Sequence, residues 1–226
     1  MAVSPWRESG LAEAAEGQHR MALYAVGGNS PRVHPSAFVH PLASIVGRVE
    51  IGPACYIGAG ANLRGDWVTI RVGSGSNVQD CCTVHGSIGE TVELAEGSHL
   101  GHGCVIHGAR LERDVLVGMN AVVLDGAIIG EGSIVASGCV VPSRLEVPPG
   151  MLVVGVPGRI TGEVRPEMKR SKQAGTRWYQ QLAERCLADF EELEAGECRA
   201  GWKGDTWGGS EHWNAWFDEL TTDPGG

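Results

Sequence analysis

Leu111-Glu112-Arg113-Asp114-Val115-Leu116-Val117-Gly118-Met119-Asn120-Ala121-Val122-Val123-Leu124-Asp125-Gly126-Ala127-Ile128-Ile129-Gly130 is the stretch whose reading decides the fold. An aliphatic residue returns at every sixth position, at Leu111, Val117, Val123 and Ile129, and the count runs on to Val135 and Val141. Upstream the same spacing joins Leu94, Leu100 and Ile106, then Val72, Val78 and Val84, then Val33, Val39, Ile45, Ile51, Ile57 and Leu63. The blocks are separated by a slip of three residues after Leu63, an insertion of four after Val84 and the loss of one after Ile106. A period of six suits neither a 3.6-residue helix nor two-residue strand alternation. It suits a triangular coil in which each side is a short strand plus a corner, with one aliphatic pointing inward. Glycine often follows that aliphatic, as in Ile57-Gly58, Leu100-Gly101 and Val117-Gly118, and glycine takes corner conformations that other residues resist. Successive turns then stack as parallel strands about 4.8 Å apart.

This is a hexapeptide repeat, and the chain resembles the all-β left-handed parallel β-helix family. The left hand follows from the resemblance, because parallel crossovers are ordinarily right-handed. The β-helix domain is expected over residues 21–160. After Val141 the segment 143–160 breaks the period with Pro148-Pro149 and Pro157-Gly158. Residues 161–195 read as a C-terminal α-helix. Val164, Met168, Trp178, Leu182, Leu187, Phe190 and Leu193 fall on one apolar stripe, which packs along the coil of this chain or of a neighbour, and Gly196 ends the helix. Residues 1–20 are polar and net acidic and read as a disordered extension. Residues 196–226 form a tail rich in Gly and Trp, with Trp202, Trp207, Trp213, Trp216 and Phe217, expected to dock on the oligomer surface.

Within 226 residues there are 34 Gly but only three Phe and three Tyr, so aliphatics must supply the core. A net charge of −9 argues against nucleic acid, whose binders present basic faces. No apolar run approaches the roughly 18 residues of a membrane span, and the first residues lack the apolar core of a secretory signal. Seven cysteines, an odd count at irregular spacings, read as reduced thiols of a cytoplasmic protein. None of their spacings is that of a zinc ribbon or finger.

The repeat also serves as a coordinate system. Val84 and Ile106 are one turn apart plus the four inserted residues, so His85 and His107, each one residue further on, stack in one outward column. Arg64 continues that column one turn earlier. Val78 and Leu100 stack on the preceding side, which puts Asp80 and His102 in a second column with Gln79 beside it. The two columns lie around a corner from each other and meet when copies pack about a three-fold axis. The expectation is a homotrimer with three sites between neighbours, each taking His85 and His107 from one subunit and His102 from the next. Three neutral imidazoles leave a fourth position open, as in a catalytic zinc site; iron or cobalt are alternatives. Such a metal lowers the pKa of its water towards about 7 and supplies a hydroxide nucleophile. His99 fits neither column and reads as a supporting or structural residue.

Arg64-Gly65-Asp66, Asn77-Val78-Gln79-Asp80, Thr83-Val84-His85-Gly86 and Gly101-His102-Gly103-Cys104-Val105-Ile106-His107-Gly108 resemble the γ-class carbonic anhydrase family, over about residues 33–161. Val33-His34-Pro35-Ser36-Ala37-Phe38-Val39-His40-Pro41, Leu116-Val117-Gly118-Met119-Asn120-Ala121-Val122-Val123 and Gly175-Thr176-Arg177-Trp178-Tyr179-Gln180 are similar to PaaY- and CaiE-type members of phenylacetate and carnitine operons. The resemblance implies His85, His102 and His107 as metal ligands. It also implies that Gln79 orients the metal-bound hydroxide or substrate, and that Arg64 and Asp80 pair across the subunit interface. A purely structural ion pair is the alternative for those two. The pattern departs at the proton shuttle. Trp67 follows Asp66 where the family carries glutamate, and the loop after His85 is short, with Glu90 as its one acidic residue.

Four functions follow from this reading. The first is hydration of CO2 to bicarbonate at the metal. Hydrolysis of acyl-CoA thioesters in aromatic-acid or carnitine metabolism uses the same site. A hexapeptide acyltransferase shares the fold but ordinarily needs a long loop excursion, which this coil lacks. A non-catalytic trimeric subunit needs the metal only as cement.

Overall fold

The computed structural model describes residues 22–193, so the expectations for residues 1–20 and 196–226 lie outside it. The chain winds as a parallel coil with three faces, closed by one helix. A twelve-stranded sheet covers two faces and an eight-stranded sheet the third. The larger sheet spans two faces because Ser44–Ile51 and Asn62–Val72 run on as single strands through the corner between them. This is the parallel β-helix that the repeat predicts, consistent with the left hand that the resemblance implies.

The register confirms the count of six turn by turn. On the first face Ile45, Leu63, Val84, Ile106, Val123 and Val141 pair in succession. On the second the ladder is Ile51, Val72, Leu94, Leu111, Ile129 and Val147. On the third it is Ile57, Val78, Leu100, Val117, Val135 and Val153. All of these side chains are buried. Full burial of each Leu or Ile stabilises the fold by about 2 kcal/mol, so the ladders dominate its energetics. The repeat does not stop at Val141, as Pro148-Pro149 suggested. Val147 and Val153 keep the spacing because the prolines fall at a corner, where no ladder N–H is required.

Two residues before many of the ladder positions sits a smaller inward residue, among them Ala43, Cys55, Ala61, Cys82, Cys104, Ala121 and Cys139. Four cysteines are thereby accounted for as fillers beside the corners, and the described cysteines form no disulfide. The glycines divide into two kinds. Gly101, directly after Leu100, is there for space: a Cβ would lie 2.8 Å from the backbone nitrogen of Met119 in the next turn. Gly103, three residues after Leu100, has φ +70° and makes the corner. The expectation that the glycine following the aliphatic supplies the corner conformation is therefore corrected: it supplies room for the next turn.

The helix spans Pro166–Asp189. Pro166 takes the first helical position, where its missing N–H is no loss. The segment before it, expected to be helical, instead forms the strand Arg159–Glu163, antiparallel to Met151–Val154. The helix runs back along the third face, reaching Tyr56 through Tyr179 and Phe38 through Phe190. Its docking side follows the expected apolar stripe only in part, with Val164 buried and Phe190 on Phe38. Lys172, Thr176 and Ala183 are buried, whereas Leu187 and Leu193 are 44% and 42% exposed. Corner carbonyls of the coil need donors, and the helix supplies them. The Lys172 ammonium donates to the Gly97 carbonyl at 2.6 Å and to Asp114 at 2.8 Å, and the Gln180 amide donates to the Gly75 carbonyl at 3.1 Å.

Candidate functional site between two edges of the coil

Parallel pairing of Thr83–His85 with Val105–His107 sets His107 directly beside His85. Their ring centres are 5.4 Å apart. Two imidazoles bound to one tetrahedral zinc have centres about 5 Å apart, from the metal–nitrogen distance and angle alone. A carboxylate of the next turn reaches His107 from one place beyond the column, since Leu124 is the residue level with it. Asp125, one turn after His107, accepts a hydrogen bond from His107 Nδ1 at 2.8 Å and from the Ser87 hydroxyl at 3.0 Å. A carboxylate only accepts, so the proton sits on Nδ1 and Nε2 carries the free lone pair. Burial raises the Asp125 carboxyl, but the His107 and Ser87 hydrogen bonds outweigh it and hold it below the usual carboxylate range.

His85 is 6% exposed and held from both sides. Arg64 Nη2 lies 3.3 Å from its Nδ1, and its Nε2 donates to Asp66 Oδ1 at 3.1 Å. Asp66 is itself paired with Arg64 at 2.7 Å. Burial pushes the Asp66 carboxyl up, but the Arg64 and His85 hydrogen bonds more than offset that and hold it low. Both ring nitrogens of His85 are thus taken, one by Arg64 and one by Asp66. Trp67 lies over the same ring, with centres 5.9 Å apart.

His102 stands on the other edge. Its Nδ1 lies 3.0 Å from Asp80 Oδ2, while Asp80 Oδ1 accepts the Ala59 N–H at 2.8 Å. As at His107, a carboxylate holds Nδ1. His102 Nε2 lies 3.5 Å from the Tyr179 hydroxyl. Within one chain His102 does not join His85 and His107. Among the described residues no three His, Cys, Asp or Glu side chains are grouped to hold a metal. Arg64 and Asp80 likewise do not pair within the chain; each has its own partner.

Gln79 is 2% exposed and belongs to the His102 edge. Its amide nitrogen donates to Asn77 Oδ1 at 3.0 Å and lies 2.8 Å from His99 Nε2. Burial first, then the Lys172 and His102 charges, lower His99 to about 4, so this ring stays uncharged. Glu90 turns back into its own loop, where its carboxylate accepts the Ser87 N–H at 3.1 Å.

Asp125 and Tyr179 were not singled out from the sequence. Asp125 was hidden by the count, since Ile106 pairs with Val123 and the column's next place falls to Leu124, one residue earlier. Tyr179 carried no signal, because its approach depends on how the helix docks.

Residues 108–143 match the family model described as bacterial transferase hexapeptide (six repeats). The carnitine operon protein CaiE of Salmonella agona is 42% identical over 174 residues, 77% of this chain and 88% of that protein. CaiE of Escherichia coli K12 is 41% identical over the same length, 77% and 89% of the two chains. The crystal structure of a hexapeptide transferase family protein from Anaplasma phagocytophilum superposes with a TM-score of 0.70 at 33% identity, covering 73% of this chain and 97% of that one. Fold and repeat define the chain as a hexapeptide-repeat β-helix protein. Within that class it belongs to the CaiE family. Among the described residues no helix is long and apolar enough to cross a membrane.

Proposed function

We propose that the protein is a zinc-dependent enzyme of the γ-class carbonic anhydrase type, which hydrates CO2 at sites shared between the subunits of a homotrimer. His85 and His107 of one subunit and His102 of the next would hold the ion. The observation that carries the reading is the matched pair of carboxylate–imidazole couples, Asp125–His107 and Asp80–His102, on two separate edges. Metal-binding histidines characteristically have the second ring nitrogen held in this way. The 5.4 Å spacing of His85 and His107 fits the same donor set. Bound there, zinc supplies a Lewis acid that makes water nucleophilic near neutral pH. Asp125 and Asp80 fix the tautomers of their histidines. Arg64 and Asp66 hold His85 in its column, and Arg64 would meet Asp80 of a neighbour. Gln79 offers a side-chain amide to the reacting oxygen or the substrate.

A second reading keeps the same residues and exchanges the substrate for an acyl-CoA thioester. Trp67 and Ile88, 54% and 78% exposed beside His85, offer an apolar wall for an acyl chain, and CaiE relatives belong to carnitine operons. Glutamate at the position of Trp67 would have served proton transfer from CO2 hydration.

The test is metal analysis of protein purified without chelator, then stopped-flow CO2 hydration and acyl-CoA hydrolysis, with His107→Ala as control. His107→Ala and His102→Ala homotrimers should each lose metal, and refolding a mixture of the two should restore it at the interfaces that combine intact halves. Full metal occupancy in His102→Ala would overturn the shared site. Metal-loaded protein active on acyl-CoA and not on CO2 would replace the first reading by the second.

A further inference from the structure

One polar cluster lies behind the site and meets it at the Tyr179 hydroxyl, 3.5 Å from His102 Nε2. His99 sits on the third face, beside Asn77 in the strand ladder, under the C-terminal helix. Its Nε2 is 2.8 Å from the Gln79 amide nitrogen. Its Nδ1 is 3.2 Å from the Asn77 amide nitrogen and 3.4 Å from the Thr176 hydroxyl on the helix. Tyr179, one turn on from Thr176, packs edge-on against the His99 ring at 5.6 Å and carries its hydroxyl to His102. The helix backbone itself closes over the ring: a Cβ at Gly175 would lie 3.3 Å from His99 Cε1.

From this arrangement, and resting on the reading of the site given above, we infer that His99 is a positioning residue: it pins the side-chain amide of Gln79 and seats the helix that brings Tyr179 to His102. An unpinned glutamine amide can turn over and exchange its oxygen for its nitrogen, presenting a donor where an acceptor was. With its nitrogen held by both His99 and Asn77, the planar Gln79 amide directs Oε1 away from the buried cluster. A buried neutral imidazole suits this task, since it offers two hydrogen-bonding atoms on opposite sides of a rigid ring without adding charge. Its two nitrogens serve two different elements, the coil through Gln79 and the helix through Thr176.

The two edges of the ring can be removed separately. A Gln side chain reaches as far as Nε2 of the imidazole it replaces, whereas an Asn side chain reaches only Nδ1. His99→Gln therefore keeps the link to Gln79, and His99→Asn breaks it. Both are compared, as intact assembled protein, with Gln79→Ala and with the His99→Asn/Gln79→Ala double variant. The readouts are zinc content, kcat and KM for whichever of CO2 and acyl-CoA is turned over, and the Kd of azide from the visible spectrum of cobalt-substituted protein. His99→Asn should keep full zinc content, lower kcat about tenfold with KM little changed, and weaken azide by a similar factor, the size seen when outer partners of a metal site are lost. His99→Gln should recover most of both. The double variant should be no worse than Gln79→Ala alone, because His99 acts through Gln79.

Wild-type kcat and azide affinity in His99→Asn, or additive losses in the double variant, would overturn the inference while leaving the site standing. Metal-loaded wild type inactive on both substrates would overturn the proposed activity alone, since the azide titration still decides the role of His99. Wild type that binds no metal would overturn both.

Discussion

His107 Nδ1 and Asp125 Oδ1 are 2.8 Å apart across one turn of the coil, so a carboxylate with no place in the sequence motifs sets the tautomer of a candidate ligand. Asp125→Asn keeps the shape and can hold the ring, but it removes the charge that makes the imidazole a stronger donor. The expected result is a 10- to 100-fold loss of zinc affinity in a chelator competition assay, with the sedimentation profile unchanged. Unchanged affinity would remove Asp125 from the site.

The two kinds of glycine should respond differently to alanine. At Gly101 the new methyl meets backbone of the next turn, which cannot swing aside, and overpacking of this sort costs about 1–3 kcal/mol. Gly132 has φ +67° and open space around it, so alanine there carries only the left-handed penalty of about 1 kcal/mol. Thermal unfolding should rank Gly101→Ala below Gly132→Ala, and the reverse order would contradict the division of roles.

His99 links stability to pH. Burial, Lys172 and His102 hold its folded pKa at about 4, against 6.5 for the free side chain. Between these values the unfolded chain binds the proton and the folded one does not, so the stability contributed by neutral His99 is complete above about 6.5 and is lost as pH falls towards 4. The span corresponds to about 3 kcal/mol at most. Lys172, His102 and Tyr179 are the ionisable groups facing the ring, and none of them offers a compensating negative charge. The melting temperature of the wild type should fall across this window more steeply than that of His99→Gln. Parallel curves would show that another group governs acid lability.

The coil was legible in Leu111–Ile129 because a fully inward aliphatic at a constant interval needs no tertiary information to be seen. The stacking of His85 on His107 followed from the same arithmetic; Asp125 did not, because the residue lost after Ile106 puts Leu124 in the next place of the column. The helix was legible as a helix and not in its docking. Leu187 and Leu193 belong to a stripe that hydrophobicity alone would bury, whereas the coil presents corner carbonyls that Lys172 and Gln180 meet, and the His99 ring that Thr176 meets. His99 fitted neither column and was read as a supporting residue, but its attachment to Thr176 depends on a helix 77 residues further along the chain, a relation that no local spacing encodes.

All three departures from the count of six fall at one corner, between the first and second faces: after Leu63, after Val84 and after Ile106. The two remaining corners keep strict length throughout, so they alone carry the phase of the winding. Residues can be added or lost at the permissive corner without shifting any later turn, and that corner is where Arg64, Asp66, Trp67, His85, Ile88, Glu90 and His107 reside. Variation in loop length, ordinarily a hazard to a repetitive fold, is here confined to the margin of the site. Relatives could acquire new substrates there by insertion while inheriting the folding code unaltered.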